Sequence, residues 1–190
     1  MAARPPRADA QRNIDALLSA ARTVFARDGV DAHVKAIAAE AGVGVATLYR
    51  HFPKRSDLVL AVLSHEVDEC IAIAPALSES FPPRMALAKW VDRYTEFVAT
   101  KRGLAAALHS GDPTFEGLGT RLLQRLEPAF AGLLDAARAS GEIRPDISAG
   151  DLLRAVAHLC VPGPDEGVAF SRRMVHLLLD GLEQRHEQER

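Results

Sequence analysis

Apolar residues recur every three or four positions along most of this 190-residue chain, and the residues between them are mainly polar or charged. That spacing puts the apolar side chains on one face of an α-helix, whereas the strict alternation typical of a half-buried strand does not occur. The pattern predicts an all-α protein of about nine helices. The first helix is predicted from about Gln11 to Asp28, with Gly29 at its end.

The segment from His33 to Phe52 carries the most informative pattern. Gly42 stands where the end of a first short helix needs a left-handed residue, and Gly44 can cap a second one. The second helix turns Leu48 and Phe52 inward and leaves its polar residues outside. We therefore predict a helix-turn-helix at about residues 33–52, the motif whose second helix enters the major groove of DNA. The apolar stripe of the first helix, at i, i+3, i+4 and i+7, is Val34, Ile37, Ala38 and Ala41.

The outer face of the second helix and the basic residues near the helix starts are the candidate DNA contacts. The hydroxyl and methyl groups of Thr47 can contact base edges, and the hydroxyl of Tyr49 can reach a phosphate. Lys35, Lys54 and Arg55 suit phosphate contacts, although each also fits an ordinary solvated surface charge. The predicted DNA-binding residues are His33, Lys35, Gly44, Val45, Ala46, Thr47, Tyr49, Arg50, His51, Lys54 and Arg55.

The rest of the chain also divides into helices with recognisable ends. Pro128 lies inside a long helical pattern and predicts a kink or break there, since a proline in a helix interior costs about 3 kcal/mol. Ser148 and Asp151 have the spacing of a capping box. The predicted segments are a fourth helix capped by Ser56 and running to near Pro75, a linker from Ser78 to Pro83, a helix from Met85 to Thr100, a short helix from Gly103 to His109, a long pattern from Thr114 to Ser140, a helix after Ser148 and a last helix beginning near Asp165.

Charge is distributed unevenly along the chain. Residues 1–60 carry nine Lys/Arg against six Asp/Glu, a net of +3, whereas residues 61–190 carry a net of −5. A basic first part suits a protein that meets phosphates with one end only, although chance variation in surface charge gives the same figures. We predict a DNA-binding domain at residues 10–70 and a second helical domain at residues 76–190. The basic residues near the N-terminus, which fit either a DNA-contacting arm or a tail without a role, are Arg4, Arg7 and Arg12.

Several classes of protein are disfavoured by what the sequence lacks. No apolar run is long enough for a membrane span and the N-terminus has no secretory signal, so we expect a cytoplasmic protein without a membrane partner. Cys70 and Cys160 have no metal-ligand spacing, which predicts core residues and no metal site. No phosphate-binding loop or nucleophile motif occurs, so we expect neither an enzyme nor a cofactor. The alternative is a helical enzyme or a scaffold without DNA binding, and either would leave Thr47 and Tyr49 without a role.

Residues 12 to about 65 resemble the TetR family of bacterial transcriptional regulators. The resembling runs are Ile37-Ala38-Ala39-Glu40-Ala41-Gly42-Val43, Thr47-Leu48-Tyr49-Arg50-His51-Phe52-Pro53 and Asp57-Leu58. Two positions depart from the family pattern, because Gly44 stands where serine is usual and His33 where serine or threonine is usual. Residues 97–108 also resemble a segment of the group with an SbtR-like C-terminal domain.

The resemblance implies a homodimeric regulator, usually a repressor, that binds a palindromic operator in double-stranded DNA and is released by an unknown small-molecule effector. Two recognition helices about 34–36 Å apart would face successive major grooves. The last two helices of each subunit would form a four-helix bundle, and the wide apolar surface of the last helix agrees with that. The predicted dimer-interface residues are Leu152, Val156, Leu159, Phe170, Met174, Leu178 and Leu182.

Aromatic residues and histidines of the second domain are the candidate lining of an effector pocket, since small-molecule sites combine apolar walls with a few polar groups. Aromatic residues at helical spacing are more often plain core, and this alternative applies to each of them. A helix broken at Pro128 would also leave room for a cavity beside Phe130. The predicted pocket residues are Trp90, Tyr94, Phe97, His109, Phe115, Phe130 and His158.

Overall fold

The structure is a computed structural model that describes residues 6–144, 146–160 and 167–183, with the side chains of 6–12, 102, 103 and 106 outside the description. The described residues form α-helices, one 3-10 turn and a single isolated β-bridge between Ile143 and Glu183. The predicted all-α fold of about nine helices is confirmed. The helices are α1 (Pro6–Asp28), α2 (Val34–Glu40), α3 (Val45–His51), α4 (Arg55–Ser80), α5 (Pro83–Gly103), α6 (Ala105–Leu108), α7 (Leu118–Ala139), α8 (Ala149–Leu159) and α9 (Val168–Asp180), and the 3-10 turn is Pro113–Phe115.

The chain divides into two compact units. The first, which we call the head, comprises Met1–Glu66 together with Thr100–Leu118. The second, which we call the body, comprises Val67–Ala99 together with Gly119–Arg190. The head therefore includes α6 and the 3-10 turn, which follow its other helices only after a long stretch of sequence.

The turn between α2 and α3 is fixed by backbone hydrogen bonds around Gly42. This residue has a left-handed φ of +67°, and its N–H donates to the Ala39 carbonyl at 3.1 Å. The N–H of Val43 donates to the Ala38 carbonyl at 2.9 Å. The two bonds form a Schellman motif, which satisfies carbonyls that a helix end would otherwise leave without partners. The helix end predicted at Gly42 is confirmed, and only glycine adopts this conformation without strain.

The start of α8 is held by the predicted capping residues. The hydroxyl of Ser148 accepts a hydrogen bond from the backbone N–H of Asp151 at 3.0 Å and donates one to its carboxylate at 2.6 Å. These contacts, with a further one from Arg154, hold the pKa of Asp151 below its ordinary value. The predicted cap is confirmed, and it supplies a partner for a backbone N–H that α8 itself cannot satisfy.

Two prolines lie inside helices. α4 continues past Pro75 to Ser80, and α7 continues through Pro128 to Ala139. A helix break at Pro128 and a helix end near Pro75 are therefore wrong, whereas a kink at Pro128 stays a prediction. A proline removes only one N–H from the helix, and burial of the apolar face of α7 on both sides of Pro128 offsets that loss. The buried residues of this face are Leu122, Leu126, Phe130 and Leu133.

The connection before α5 and the cap of α4 also differ from prediction. The predicted linker from Ser78 to Pro83 is too long, since only two residues separate the end of α4 at Ser80 from the start of α5 at Pro83. Proline is tolerated at the first position of a helix, so Pro83 can begin α5. α4 begins at Arg55, where the carboxylate of Asp57 accepts from the Lys54 backbone N–H at 3.0 Å. Ser56 therefore lies inside the first turn of α4 and the cap predicted there is wrong, while Asp57 accepts from the N–H of Lys54, the residue before the helix. The predicted start of the last helix near Asp165 lies outside the described residues.

The head is packed around the apolar face of α1, which contacts α2 and α4, and α2 in turn contacts α3. Two ion pairs join α1 to its neighbours: Arg22 to the buried Glu66 of α4 at 3.4 Å, and Arg27 to Glu40 of α2 at 4.0 Å. The short helices α2 and α3 are therefore stabilised by packing, since isolated helices of seven residues do not persist in water. The buried apolar residues of this core include Leu17, Ala21, Val24, Phe25, Ile37, Leu48, Leu58 and Val59.

The body is packed around aromatic side chains of α5 and α7. Trp90 has its ring centroid 5.1 Å from that of Phe130 and 5.7 Å from that of Tyr94, and all three side chains are fully buried. The indole N–H of Trp90 donates to the Cys70 carbonyl at 2.7 Å, and the hydroxyl of Tyr94 donates to the Leu153 carbonyl at 3.4 Å. Burial raises the pKa of the Tyr94 phenol, which keeps it a neutral donor.

Candidate nucleic-acid interface

α3 buries one side and exposes the other. Leu48 is 1% exposed in the core of the head, whereas Tyr49 is 51% exposed. Ala46 and Arg50 are also exposed, and Thr47 is half-buried, as are Val45 and His51. The outer face thus begins with small side chains and continues with hydrogen-bonding ones. Such a helix can approach the edges of base pairs closely at its N-terminal end.

The residues before α2 and α3 supply no side-chain cap. His33 precedes α2 and Gly44 precedes α3, both in an extended conformation. The Gly44 carbonyl accepts from the N–H groups of Thr47 and Leu48 at 2.9 and 3.3 Å, so its backbone starts α3 without a hydroxyl. The imidazole of His33 is exposed and makes no capping hydrogen bond, which leaves it available to an external group.

A surface groove of about 610 Å³ brings together five of the predicted DNA-binding residues. The loop before α2, the start of α2 and one side of α3 form its walls. Lys35 is exposed and shares this groove with Tyr49. The lysine ammonium and the tyrosine hydroxyl are both donors that contact phosphates in protein–DNA complexes. The lining residues are His33, Lys35, Val45, Tyr49 and Arg55, together with Asp31, Ala32 and Val34.

A second, smaller groove of about 280 Å³ adds Lys54 to this surface. Tyr49 and Arg55 line both grooves, and Lys54 itself is exposed. The two grooves therefore run from the loop before α2 to the start of α4 with basic residues along them. The remaining lining residues are Val34, Leu48, Phe52, Pro53 and Leu58.

Arg55 differs from the other basic residues of this surface because it is bonded within the head. Its Nε donates to the Val30 carbonyl at 2.6 Å, and its Nη2 donates to the Ala32 carbonyl. The guanidinium carbon also lies 5.7 Å from the ring centroid of Phe25. Sequence reasoning missed this arrangement, since no local pattern relates α4 to the loop after α1.

A polar cluster from residues 100–118 lies at the start of α4. Asp112 caps the 3-10 turn by accepting from the Thr114 backbone N–H at 2.9 Å. That bond, followed by contacts with Ser56 and Lys54, lowers the pKa of Asp112. The run Asp112-Pro113-Thr114 is a capping signal, because aspartate is a good cap residue and proline is favoured directly after it. Sequence reasoning overlooked this signal. A hollow of about 300 Å³ adjoins this cluster, lined by Val30, Asp31, Arg55, Ser56, Val59, Ala107, Ser110, Asp112 and Phe115.

The seven residues predicted to line an effector pocket are divided between the two units. His109 and Phe115 belong to the head and the other five to the body. Phe97 is almost fully buried, like the three aromatic residues stacked at the centre of the body, and His158 is exposed on α8. Core packing accounts for the buried aromatic residues, so their role in binding an effector stays a prediction.

The residues predicted for the dimer interface differ in exposure. Leu152, Val156 and Leu182 are buried within the body of their own chain and leave no surface for a partner. Leu177 of α9, which was absent from the prediction, is 62% exposed. Positions 170, 174, 177 and 178 share one side of α9, and this spacing was the available signal. The half-buried members of the predicted set are Leu159, Phe170, Met174 and Leu178.

Other kinds of site find little support in the described residues. None of the described helices combines the length and the apolar character that crossing a membrane requires. Within the same ranges, His, Cys, Asp and Glu form no group of three or more that could hold a metal ion. Cys70 and Cys160 are buried and not joined in a disulfide, which confirms their prediction as core residues.

The α2–turn–α3 unit and its exposed basic surface define a helix-turn-helix regulator. Two sequence models agree with this class. The one described as "Bacterial regulatory proteins, tetR family" matches residues 17–62, and the one described as "Transcriptional regulator SbtR-like, C-terminal domain" matches residues 82–184.

Solved structures and a curated relative agree as well. A TetR transcriptional regulator from Streptomyces coelicolor is 38% identical with a TM-score of 0.79, covering 90% of this chain and 99% of its own. A TetR transcription regulatory protein from Mycobacterium vanbaalenii is 30% identical with a TM-score of 0.76, covering 95% of this chain and 100% of its own. An HTH-type transcriptional regulator of Staphylococcus aureus is 38% identical over 63 residues, 33% of this chain, and the match spans about a third of its length. The chain belongs to the TetR family of transcriptional regulators.

Proposed function

We propose that this protein is a transcriptional repressor that binds a palindromic operator in double-stranded DNA as a homodimer. The observation that carries the proposal is the exposed face of α3 with two adjoining grooves lined by basic residues. Leu48 fixes α3 to the core, so the side chains of Thr47, Tyr49 and Arg50 point away from it. An enzyme or a scaffold would have no use for this combination.

In this proposal α3 lies in the major groove and the grooves beside it follow the phosphate backbone. Val45 and Ala46 are small enough for a close approach to the bases, and Thr47 and Arg50 supply donors to base edges or phosphates. The proposed phosphate-binding residues lie around α3, on the loop before α2, at the turn before α3 and at the start of α4. They are His33, Lys35, Gly44 through its backbone, Tyr49, His51 and Lys54.

A second copy of the chain covers the apolar stripe of α9 in the proposed dimer. Leu177 and its neighbours at i−7, i−3 and i+1 form an apolar surface that a monomer would leave in water. A self-complementary contact of this kind is usual for a dimer with twofold symmetry. Two recognition helices about 34–36 Å apart then match one turn of DNA.

A small molecule that binds the body of the dimer releases the DNA. Release requires that the molecule bind more tightly to the state that does not fit the operator. Family membership supports this part of the proposal, as it supports a cytoplasmic location and the absence of an enzymatic reaction.

Selection of bound fragments from random DNA, repeated at several salt concentrations, tests the proposal. We expect an inverted repeat whose half-site centres lie about 10 base pairs apart, with affinity falling as salt rises. Tyr49→Ala should weaken operator binding, while Met85→Ala, a matched change at an exposed position of the body, should not. Enrichment of no sequence, or only monomer by light scattering at micromolar concentration, would overturn the proposal.

A further inference from the structure

Arg55 sits among residues proposed to bind phosphate, yet its guanidinium is directed into the head. We infer that Arg55 is a positioning residue that sets the loop before α2, and through it His33 and Lys35, in register with α3. It therefore contributes to operator recognition without binding a phosphate itself. The inference rests on the proposed DNA binding and assigns this residue a role different from that of its neighbour Lys54.

The geometry is that of a clamp on two carbonyls. Nε and Nη2 of Arg55 donate to the carbonyls of Val30 and Ala32, which are two residues apart in the loop. Both loop residues are buried, so these carbonyls have little access to water. A buried carbonyl that loses its donor has no hydrogen bond to offset the free energy of its desolvation. The loop would rearrange to expose the carbonyls to water or to other donors.

The clamped loop leads directly into the proposed phosphate-binding residues. Ala32 is followed at once by His33, the cap of α2, and Lys35 is the second residue of that helix. Arg55 belongs to α4 and lines both grooves beside Tyr49 of α3. One side chain thus joins the loop before α2 to the helix that follows α3.

Lysine is not equivalent to arginine at this position. The planar guanidinium donates to two acceptors in a fixed fork, and its carbon lies 5.7 Å from the ring centroid of Phe25. An ammonium group can hold a phosphate, but it lacks the rigid fork that matches two fixed carbonyls and the flat face that packs on the Phe25 ring. Substitution by lysine therefore separates the two roles, since it preserves a phosphate contact and removes the clamp.

The test compares Arg55→Lys and Arg55→Gln with Lys54→Gln in the full-length protein. The affinity of each variant is measured for the selected operator and for a random duplex of equal length, across a range of salt concentrations. We expect both Arg55 variants to bind the operator about tenfold more weakly, with binding to random DNA and its salt slope unchanged. Lys54→Gln should weaken binding to both duplexes and lower the salt slope by about 0.9 for each phosphate that the variant no longer neutralises.

Two results would overturn the inference: full operator affinity in Arg55→Lys, or a salt slope in Arg55→Gln that falls as in Lys54→Gln. NMR of the wild-type protein gives a readout that needs no variant to fold. The assigned Arg55 Nε–H signal should exchange slowly with solvent and keep its chemical shift on operator binding. Fast exchange, or a shift on binding, also overturns the inference. If the wild-type protein enriches no sequence from random DNA, the proposed function itself is contradicted, together with any role of Arg55 in it.

Discussion

The two tyrosines of the chain, one in the head and one in the body, show how differently the two units use the same side chain. Tyr49 lies on a two-turn helix with half its surface exposed, whereas Tyr94 is 1% exposed and bonded to the Leu153 carbonyl. Burial in the core is enough to explain an aromatic residue at Tyr94. The exposed ring of Tyr49 gains little from folding, and the proposed DNA contact gives it a role.

The two units also hold their functional surfaces in place by different means. The head uses local devices to fix helix ends, chiefly the turn at Gly42 between α2 and α3 and the hydrogen bond from the Lys54 N–H to Asp57 at the start of α4. The body uses long helices whose aromatic side chains pack across large sequence distances. We therefore expect substitutions in the body to lower stability and substitutions on the outer face of the head to lower DNA affinity.

The largest expected effect is that of Phe130→Ala. Because the ring of Phe130 is fully buried against Trp90, its removal should lower the free energy of unfolding by about 3–5 kcal/mol. Urea unfolding measures this, with Met85→Ala as a control that should change stability by less than about 0.5 kcal/mol. A loss below about 1 kcal/mol would contradict close packing of Phe130 against the core of the body.

Leu177→Glu tests the apolar stripe of α9. The side chain is 62% exposed, so the change should leave the folding of a single chain intact while placing a charge in the proposed interface. We expect the dimer dissociation constant to rise at least about tenfold, since an unpaired buried charge opposes association. Sedimentation at several protein concentrations measures it, and Met85→Glu is the control. An unchanged dimer places the interface elsewhere.

The next effect separates two glycines of the helix-turn-helix. Gly42→Ala should lower the free energy of unfolding by about 1–2 kcal/mol, because φ is +67° there and an alanine strains the turn. Gly44→Ala should cost less, at most about 1 kcal/mol for a poorer N-cap residue, because Gly44 is extended and a Cβ meets nothing within 4 Å. Thermal unfolding of both variants checks this, and equal costs would contradict the Schellman turn as the source of strain.

A structural feature could be predicted from the sequence where its physical cause involves only a few neighbouring residues. The ends of α2 and α8 follow from Gly42 and Ser148, because a left-handed φ and a cap involve only a few consecutive residues. The lengths of α4 and α7 cannot be predicted from local sequence in this way. The local cost of Pro75 and Pro128 is outweighed by packing that involves other helices. Propensity predicts a helix end only where tertiary contacts do not oppose it.

The same distinction applies to the proposed interface. The exposure of Tyr49 opposite Leu48 follows from the helical period alone. The bonds of Arg55 reach carbonyls 25 and 23 residues earlier, so the sequence shows only a basic residue at a helix start. Likewise, Leu152 and Leu177 are both apolar helix positions, and only the fold shows that the first is core and the second is surface.

The matched pair Tyr49→Phe and Tyr94→Phe tests the comparison of the two units directly. Loss of the Tyr49 hydroxyl should weaken operator binding by about 1 kcal/mol and leave stability unchanged. Loss of the Tyr94 hydroxyl leaves the Leu153 carbonyl without that donor and should lower stability by about 1 kcal/mol, with operator binding per folded dimer unchanged. Fluorescence anisotropy and urea unfolding measure the two quantities. A stability loss at Tyr49, or an affinity loss at Tyr94, would remove the distinction.

The smallest expected effect concerns the two capping aspartates, Asp112 in the head and Asp151 in the body. Hydrogen bonds to the carboxylate, from Thr114 and Ser148 respectively, lower the pKa of each below the ordinary 3.8. A lowered pKa favours the folded state above the ordinary value, and that contribution is lost as the pH falls through the lower, folded value. Both carboxylates should therefore still be ionised when ordinary aspartates titrate, as a carboxyl-carbon NMR titration can show. Ser148→Ala should raise the pKa of Asp151 and leave that of Asp112 unchanged, because its hydroxyl contacts only the cap of α8; an unmoved Asp151 would assign its shift to Arg154 instead.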